Sequence, residues 1–270
     1  RMSYRFTILG CGSSGGVPRI GMNWGACDPE NPKNRRLRCS ALFERIGSGN
    51  QAGGQTAVLV DTSPDFREQI LRSRLTALDG VLYTHDHADH THGIDDLRMV
   101  AFAMKKRIDV HFDAATGKSL TERFAYCFKT PEGSNYQPIL NARIMDGCTP
   151  IVIPGHGGPI TATPIPQTHG DITSFGYRVS DLAYCPDINA IPEASLPLLQ
   201  NLDVWVVDSL RYTPHESHFS VKQALAWVER LKPRRTILTH MTSEIDYETL
   251  RRDLPGGVEP AYDGMMIDFR

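Results

Sequence analysis

The sequence has no uncharged apolar run approaching the roughly 18 residues of a membrane span, so no transmembrane segment is expected. Its first residues, Met2-Ser3-Tyr4-Arg5-Phe6, lack a basic segment followed by a long apolar stretch, and no secretory leader is expected. An excess of one charge is missing too: 29 Lys and Arg stand against 31 Asp and Glu, a formal net charge of −2. This argues against a general nucleic-acid binder, which needs a basic surface, and leaves room only for a local basic patch. Six cysteines occur without a single C-x-x-C pair, and positions 11, 27, 39, 127, 148 and 185 fit neither a disulfide framework nor a zinc ribbon. Small buried thiols in a reducing, cytoplasmic compartment are the expectation.

What is present is an ordinary globular composition, 40% hydrophobic and 22% charged over 270 residues. Such a length buries roughly 70–75% of the unfolded surface and needs no covalent staple. Short apolar segments alternate with amphipathic ones. Residues 5–9 read as a strand running into the glycine cluster 10–16, and 41–46 and 56–61 as strands joined by the 47–55 loop. Ser63-Pro64-Asp65 reads as a helix start, with Ser63 as cap and Pro64 in the first helical position. After a strand at 80–84, Ile94, Leu97, Ala101 and Met104 recur at helical spacing. Strands are expected at 160–165, 174–179, 182–185, 204–207 and 236–239. Helices are expected near 193–200, 221–231 and 247–254, and long loops at 130–138 and 145–159. The class is α/β, with residues 1–270 as one domain.

Four of the ten histidines fall between residues 85 and 92. The string His85-Asp86-His87-Ala88-Asp89-His90 follows an apolar strand and combines imidazole nitrogens with carboxylate oxygens, ligands suited to Zn²⁺, Mn²⁺ or Fe²⁺. Residues two apart on a loop converge on one ion, leaving Asp89 and His90 free to turn toward another. His169, Asp187 and His240 each stand at the end of an expected strand, where open α/β sheets place their sites. Asp61 also ends a strand; it reads either as an acceptor for a ligand imidazole or as a cap or turn residue. Asp86 carries the same two readings. His92 reads as a solvent or outer contact, and His111 and His156 as structural. The glycine cluster lacks a G-K-[ST] ending, so it is no triphosphate-binding loop; its amides read as tight-turn geometry, or alternatively as facing substrate. Lys33, Arg35, Arg36 and Arg38 form the densest basic run, read as a solvated loop or a phosphate contact.

Taken together, the string at 85–90 followed by His169, Asp187 and His240 resembles the metallo-β-lactamase-fold hydrolases, from the glycine turn to Asp263-Gly264. Within them, Leu9 to Pro18, Val60-Asp61-Thr62-Ser63-Pro64-Asp65 and Ile237-Leu238-Thr239-His240 are similar to the phosphodiesterase branch. The resemblance implies a four-layer αββα sandwich of two mixed sheets. It implies two divalent ions, Zn or Mn: one on His85, His87 and His169, the other on Asp89, His90 and His240, with Asp187 bridging. Two such ions against two carboxylates leave a net charge of about +2, suited to a phosphodiester. The expected reaction is hydrolysis of a small cyclic or nucleotide-like phosphodiester by hydroxide formed at the ion pair. His218 and Asp89 are the expected catalytic residues. His218 precedes Ser220-Val221-Lys222-Gln223, an S-x-x-Q capping box opening a helix, and would protonate the leaving alkoxide. Positive charge nearby opposes its protonated form unless a carboxylate or phosphate compensates, and His215 is the competing candidate.

Lactam hydrolysis is disfavoured because no thiolate stands in the 85–90 segment. The related phosphodiesterase also carries a structural zinc on a cysteine-rich loop and a histidine. Here only Cys27 and Cys39 lie nearby and Ser243 occupies the histidine's place, so no third zinc of that kind is expected. No stable nucleic-acid complex is expected, and a homodimer is compatible with the sequence. The alternatives are an RNA-processing nuclease of the same fold and a non-hydrolytic protein resembling the pyrroloquinoline-quinone biosynthesis branch.

Overall fold

The computed structural model describes residues 3–47 and 53–270. Residues 48–52 of the expected 47–55 loop lie outside the described residues. The first sheet is built from β1 (Ser3–Gly10), β2 (Ser40–Ile46), β3 (Gln55–Val60), β4 (Gly80–Leu82), β5 (Ile108–Phe112) and β6 (Leu140–Ile144). The second follows in the chain as β7 (Ile151–Ile153), β8 (Ile160–His169), β9 (Ile172–Val179), β10 (Leu182–Cys185), β11 (Val204–Asp208), β12 (Arg235–Thr239) and β13 (Val258–Pro260). The last strand, β14 (Met266–Phe269), returns to pair with β1 and completes the first sheet.

Both sheets are mixed, and in the same way. Pairing is antiparallel from β14 through β3 and parallel from β3 through β6. In the second sheet it is antiparallel from β7 through β10 and parallel from there to β13. Parallel neighbours need a crossover, and helices supply it. That explains why β3 reads as a continuous apolar run. Val58 and Val60 enter one apolar cluster, shared with Tyr177, Ala183 and Ile237 of the facing sheet. Ala57 and Leu59 enter a second, under the helices Phe66–Ser73 and Leu97–Met104. On the far side, Val221 and Ala224 of the helix Val221–Leu231 join the inter-sheet cluster. The layers are helix, sheet, sheet, helix, the expected αββα sandwich.

Several expectations need correction. The helix expected from Ser63 starts at Phe66, because Ser63 O accepts from Phe66 N in a turn and Asp65 takes the cap position. Asp65 makes no side-chain cap there; its carboxylate is engaged by the amide and guanidinium of Arg38. The segment Glu193–Leu199 is a 3₁₀ helix containing Pro197, whose ring is incompatible with regular α-helical bonding. The 145–159 loop contains β7, too short to announce itself. Five cysteines are buried as expected, but Cys148 is exposed.

Arg36 is nearly inaccessible at 1% exposure. Its guanidinium donates to Thr242 O (3.0 Å) and Ile245 O (2.7 Å) and approaches Cys27 Sγ (3.7 Å), tying the 27–38 loop to the segment after β12. Part of the basic run is thus an internal brace. Arg36→Met is expected to lower the unfolding free energy by about 2–5 kcal/mol, because two buried carbonyls lose their donor. A urea midpoint that falls at constant m-value is the measurement.

Candidate metal centre

The strand register brings the site together. Val60 pairs with Leu82 and Asp208 with Thr239, so the C-terminal ends of β3 and β4 face those of β10, β11 and β12. At these ends Asp61, Asp187 and His240 each take positive φ, at 64°, 50° and 60°. Such left-handed conformations are uncommon outside glycine and asparagine, and here they turn three polar side chains off the strand ends.

Asp187 is the hub. Its Oδ1 lies 3.0 Å from His90 Nε2 and 3.2 Å from His240 Nε2, while Oδ2 lies 3.6 Å from His85 Nε2 and 3.5 Å from His169 Nε2. Asp89 Oδ2 adds contacts of 3.4 Å to His90 Nε2 and 3.7 Å to His240 Nε2. His169 Nε2 stands 3.3 Å from His87 Nδ1. One oxygen of Asp187 therefore serves each of two groups, His85–His87–His169 and Asp89–His90–His240, and within each group the ligand atoms lie within 4.8 Å of one another. All seven residues singled out in the sequence are brought together.

The atoms fit a metal on three counts. His85 Nε2, His90 Nε2, His240 Nε2 and Asp187 Oδ1 are buried without a hydrogen-bond partner among the described residues, a condition that is expensive unless something else binds them. Two atoms each ~2.1 Å from one tetrahedral ion stand roughly 3.4 Å apart, close to the separations here. The electrostatics also calls for a cation. Burial pushes Asp187 up, but His240 and His90 outweigh it and hold its carboxyl well below the usual range. Burial pushes His240 down, yet Asp187, Asp89 and Asp208 lift it to about 9. An entering cation competes with those protons.

The outward nitrogens are fixed as well. His90 Nδ1 meets Asp61 Oδ2 at 2.6 Å, with both side chains fully buried. Asp61 also accepts from Thr84 N (2.8 Å) and Thr84 Oγ1 (2.7 Å), and Thr84 Oγ1 lies 2.9 Å from His85 Nδ1. One carboxylate thus orients two imidazoles, one directly and one through a hydroxyl. Of its two sequence readings, the structure supports the imidazole acceptor. Asp86 instead accepts from Ser119 Oγ (2.7 Å), with Arg123 Nη2 at 3.8 Å from the same oxygen. His169 Nδ1 donates to Ser217 O at 2.7 Å. His92 is exposed beside Arg123 and Phe124, and His156 is exposed.

His218 lies beside this cluster, with its ring centroid 4.8 Å from that of His169 and 4.8 Å from that of His240. The capping box behind it forms as expected, Ser220 and Gln223 each bonding the other's backbone. Its Nδ1 meets Asp208 Oδ2 at 2.6 Å, and Ile188 N donates to the same oxygen at 3.0 Å. Asp208 is the residue that sequence reasoning missed. The signal was available, since Val206-Val207-Asp208 repeats the strand-ending pattern of Leu59-Val60-Asp61. His215 has no carboxylate partner among the described residues; its Nδ1 accepts from Ser217 N. His87, Asp89, His169, Asp187, His218 and His240 all line a cleft of about 510 Å³, together with Ser14, Gly15 and Arg19. In the glycine cluster, Gly10 and Gly12 serve close backbone approach: a Cβ on Gly10 would stand 2.0 Å from Arg38 O, and one on Gly12 2.9 Å from Leu37 O.

A buried His/Asp cluster at the strand ends of a four-layer αββα sandwich is the arrangement of the metallo-β-lactamase fold. The family profile described as "Beta-lactamase superfamily domain" matches residues 56–241, and the chain belongs to that family. The solved structure of a new diphosphatase from the PhnP family is 32% identical, covering 100% of this chain and 98% of that one, with a TM-score of 0.87. An octanoyltransferase from Porphyromonas gingivalis is 28% identical over 264 residues, 97% of this chain. The chain spans only about half of that relative's length, 51%. Coenzyme PQQ synthesis protein B from Klebsiella pneumoniae is 26% identical over 309 residues, covering 97% of each chain. Among the described residues, no helix is long and apolar enough to cross a membrane.

Proposed function

We propose that this chain is a metal-dependent phosphodiesterase acting on a small cyclic or nucleotide-like phosphodiester. The observation that carries the reading is the division of Asp187, one oxygen toward each group of imidazoles, with the buried Nε2 atoms of His85, His90 and His240 left without a hydrogen-bond partner among the described residues. His85, His87 and His169 would hold one ion; Asp89, His90 and His240 the other; Asp187 both. Two divalent ions, Zn or Mn, would supply positive charge for the phosphoryl oxygens and lower the pKa of a water toward ~7.

The protein's own groups account for the rest. The buried Asp187, the half-buried Asp89 and five imidazoles fix where the phosphoryl group sits. His218 presents Nε2 to the cleft because Nδ1 is taken by Asp208, and this nitrogen hands a proton to the leaving alkoxide. Asp208 holds the ring and balances its charge while it carries that proton, the task the sequence had left to an unnamed carboxylate. Similarity to a PhnP-family diphosphatase over the full chain supports phosphoryl chemistry.

The test is hydrolysis of bis-p-nitrophenyl phosphate and precursor transfer RNA by protein stripped of metal and reloaded with Zn²⁺ or Mn²⁺, with elemental analysis of each sample. Turnover of the small diester, restored by metal, is expected. A fully loaded protein inactive on it would overturn the reading. The reading it would then favour is non-hydrolytic, along the line of the PQQ synthesis relative that matches 97% of both chains.

Asp61→Asn is expected to weaken metal binding about 10–100-fold, since the charge behind His90 goes and one amide oxygen is left where two carboxylate oxygens serve His90, Thr84 N and Thr84 Oγ1. Competition against a chromogenic chelator measures this directly.

A further inference from the structure

Asp263, in the turn between β13 and β14, plays no part in the chemistry above. Both of its carboxylate oxygens are nevertheless engaged by backbone: Oδ1 accepts from Cys11 N (3.0 Å) and Oδ2 from Leu37 N (2.7 Å). The first amide belongs to the glycine cluster, the second to the basic run. Those two segments also bond each other, Gly12 N to Leu37 O at 2.8 Å, and pass too close for a side chain at Gly10 or Gly12. One part-buried carboxylate thus pins both to the C-terminal turn.

From this junction the chain runs straight to the metal cleft. Cys11 O accepts from Met241 N (2.9 Å) and Ser13 N donates to Met241 O (3.3 Å), beside the ligand His240. Ser13, Ser14 and Gly15 then line the cleft, whereas Asp263 lines a separate groove of about 280 Å³ over β1 and β2. Two amides converging on one side chain need two acceptors. A carboxylate supplies them; a carboxamide, or a protonated carboxyl, keeps one good acceptor and turns a donor toward the other amide.

We propose that Asp263 is the positioning residue of the cleft's glycine wall, setting substrate affinity by holding residues 11–15 in place while touching neither metal ligand nor cleft. The hold itself stands on the hydrogen bonds; only the choice of a phosphodiester as probe rests on the phosphodiesterase reading. Burial pushes this carboxyl up to about 6, against the pull of the Leu37 and Cys11 amides and of Arg72. No cation bonds it among the described residues. Arg72 pairs with Glu68, Arg5 with Asp268 and Arg38 with Asp65, and Arg36 holds backbone carbonyls; Glu44 and the Cys11 thiol are the other titratable neighbours. Because the folded state raises this pKa, it binds the proton more tightly than the unfolded chain does. Acidification through pH 6 therefore costs no stability through Asp263, but it removes one anchor of the wall.

The experiment compares metal-loaded unmodified protein with Asp263→Asn, by elemental analysis, by turnover of bis-p-nitrophenyl phosphate and by hydrogen–deuterium exchange corrected for intrinsic rates. The variant is expected to keep its metal and its kcat within about threefold, while KM rises about tenfold, the scale of one hydrogen bond to a charged group. Deuterium uptake in peptides covering residues 10–18 should be higher in the variant at pH 7. In the unmodified protein it should rise toward the variant's level between pH 7 and pH 5, with no matching step in the variant. Unchanged KM and uptake in Asp263→Asn, or a pH step that survives the substitution, would overturn the proposal. So would loss of metal together with activity, the result for a residue that merely holds the ligand segment. If the unmodified protein carries metal but leaves the diester intact, the phosphodiesterase reading fails alone, and the exchange data still decide on Asp263.

Discussion

Replacing Asp187 by alanine is expected to remove metal from both halves of the site and to lower phosphodiester turnover by at least about 10³-fold. Among the described residues, Asp187 is the one carboxylate that belongs to both groups of ligand atoms: Oδ1 faces His90 and His240, Oδ2 faces His85 and His169. Without it, each half keeps its imidazoles but loses the shared negative charge that makes a buried pair of cations tolerable. Asp187→Asn separates the effects of shape and charge. It fills the same volume at the same left-handed backbone position, which asparagine tolerates well, and is expected to lose nearly as much metal as the alanine variant. Elemental analysis after gel filtration, with circular dichroism to confirm the fold, is the measurement. Two equivalents of metal and an undiminished rate in the alanine variant would show that the cluster is not the seat of the chemistry.

The same residues show what the chain discloses before it folds. His85, His87, Asp89 and His90 announce themselves because ligand chemistry and proximity coincide in sequence, His85 and His87 on the loop after β4 and Asp89 and His90 in the short helix Ala88–Thr91 that follows. His169, Asp187 and His240 were legible only as strand-end residues; what joins them is the parallel pairing of β10 to β12, the antiparallel pairing of β8 to β10 across β9, and the packing of one sheet on the other. Asp61 could be suspected, yet its partnership with His90 spans 29 residues and depends on the β3–β4 register. Asp208 was overlooked for a related reason. An aspartate ending an apolar strand is common, and only the fold places His218 over it. The fate of the basic run was beyond local reasoning altogether. Neighbouring arginines with the same chemistry became a buried brace held by Thr242 and Ile245, an ion pair with Asp65, and an exposed side chain with no hydrogen-bond or ion-pair partner among the described residues. Local periodicity failed where local competition was close, as at Ser63, whose hydroxyl accepts from Asp65 N and donates to Gln69 instead of capping a helix.

His218→Ala should behave differently from Asp187→Ala, and the difference depends on the leaving group. His218 falls in neither group of ligand atoms built around Asp187, and its Nδ1 is occupied by Asp208, so both metal equivalents should be retained. What is lost is the proton for the departing oxygen. An alkoxide leaves poorly without one, so turnover of a cyclic or dialkyl-type nucleotide diester should fall by about 10²–10⁴-fold. A nitrophenolate leaves as a stable anion, and hydrolysis of bis-p-nitrophenyl phosphate by the same variant should fall by much less, about tenfold or under. Asp208→Asn should fall between the unmodified protein and His218→Ala on the alkoxide substrate, because the ring keeps a hydrogen-bond partner but loses the charge that balances its protonated state. A purely structural role for His218 would depress both substrates equally. Equal losses would therefore move the proton donor elsewhere, with His215, which also lines the cleft, as the next residue to replace.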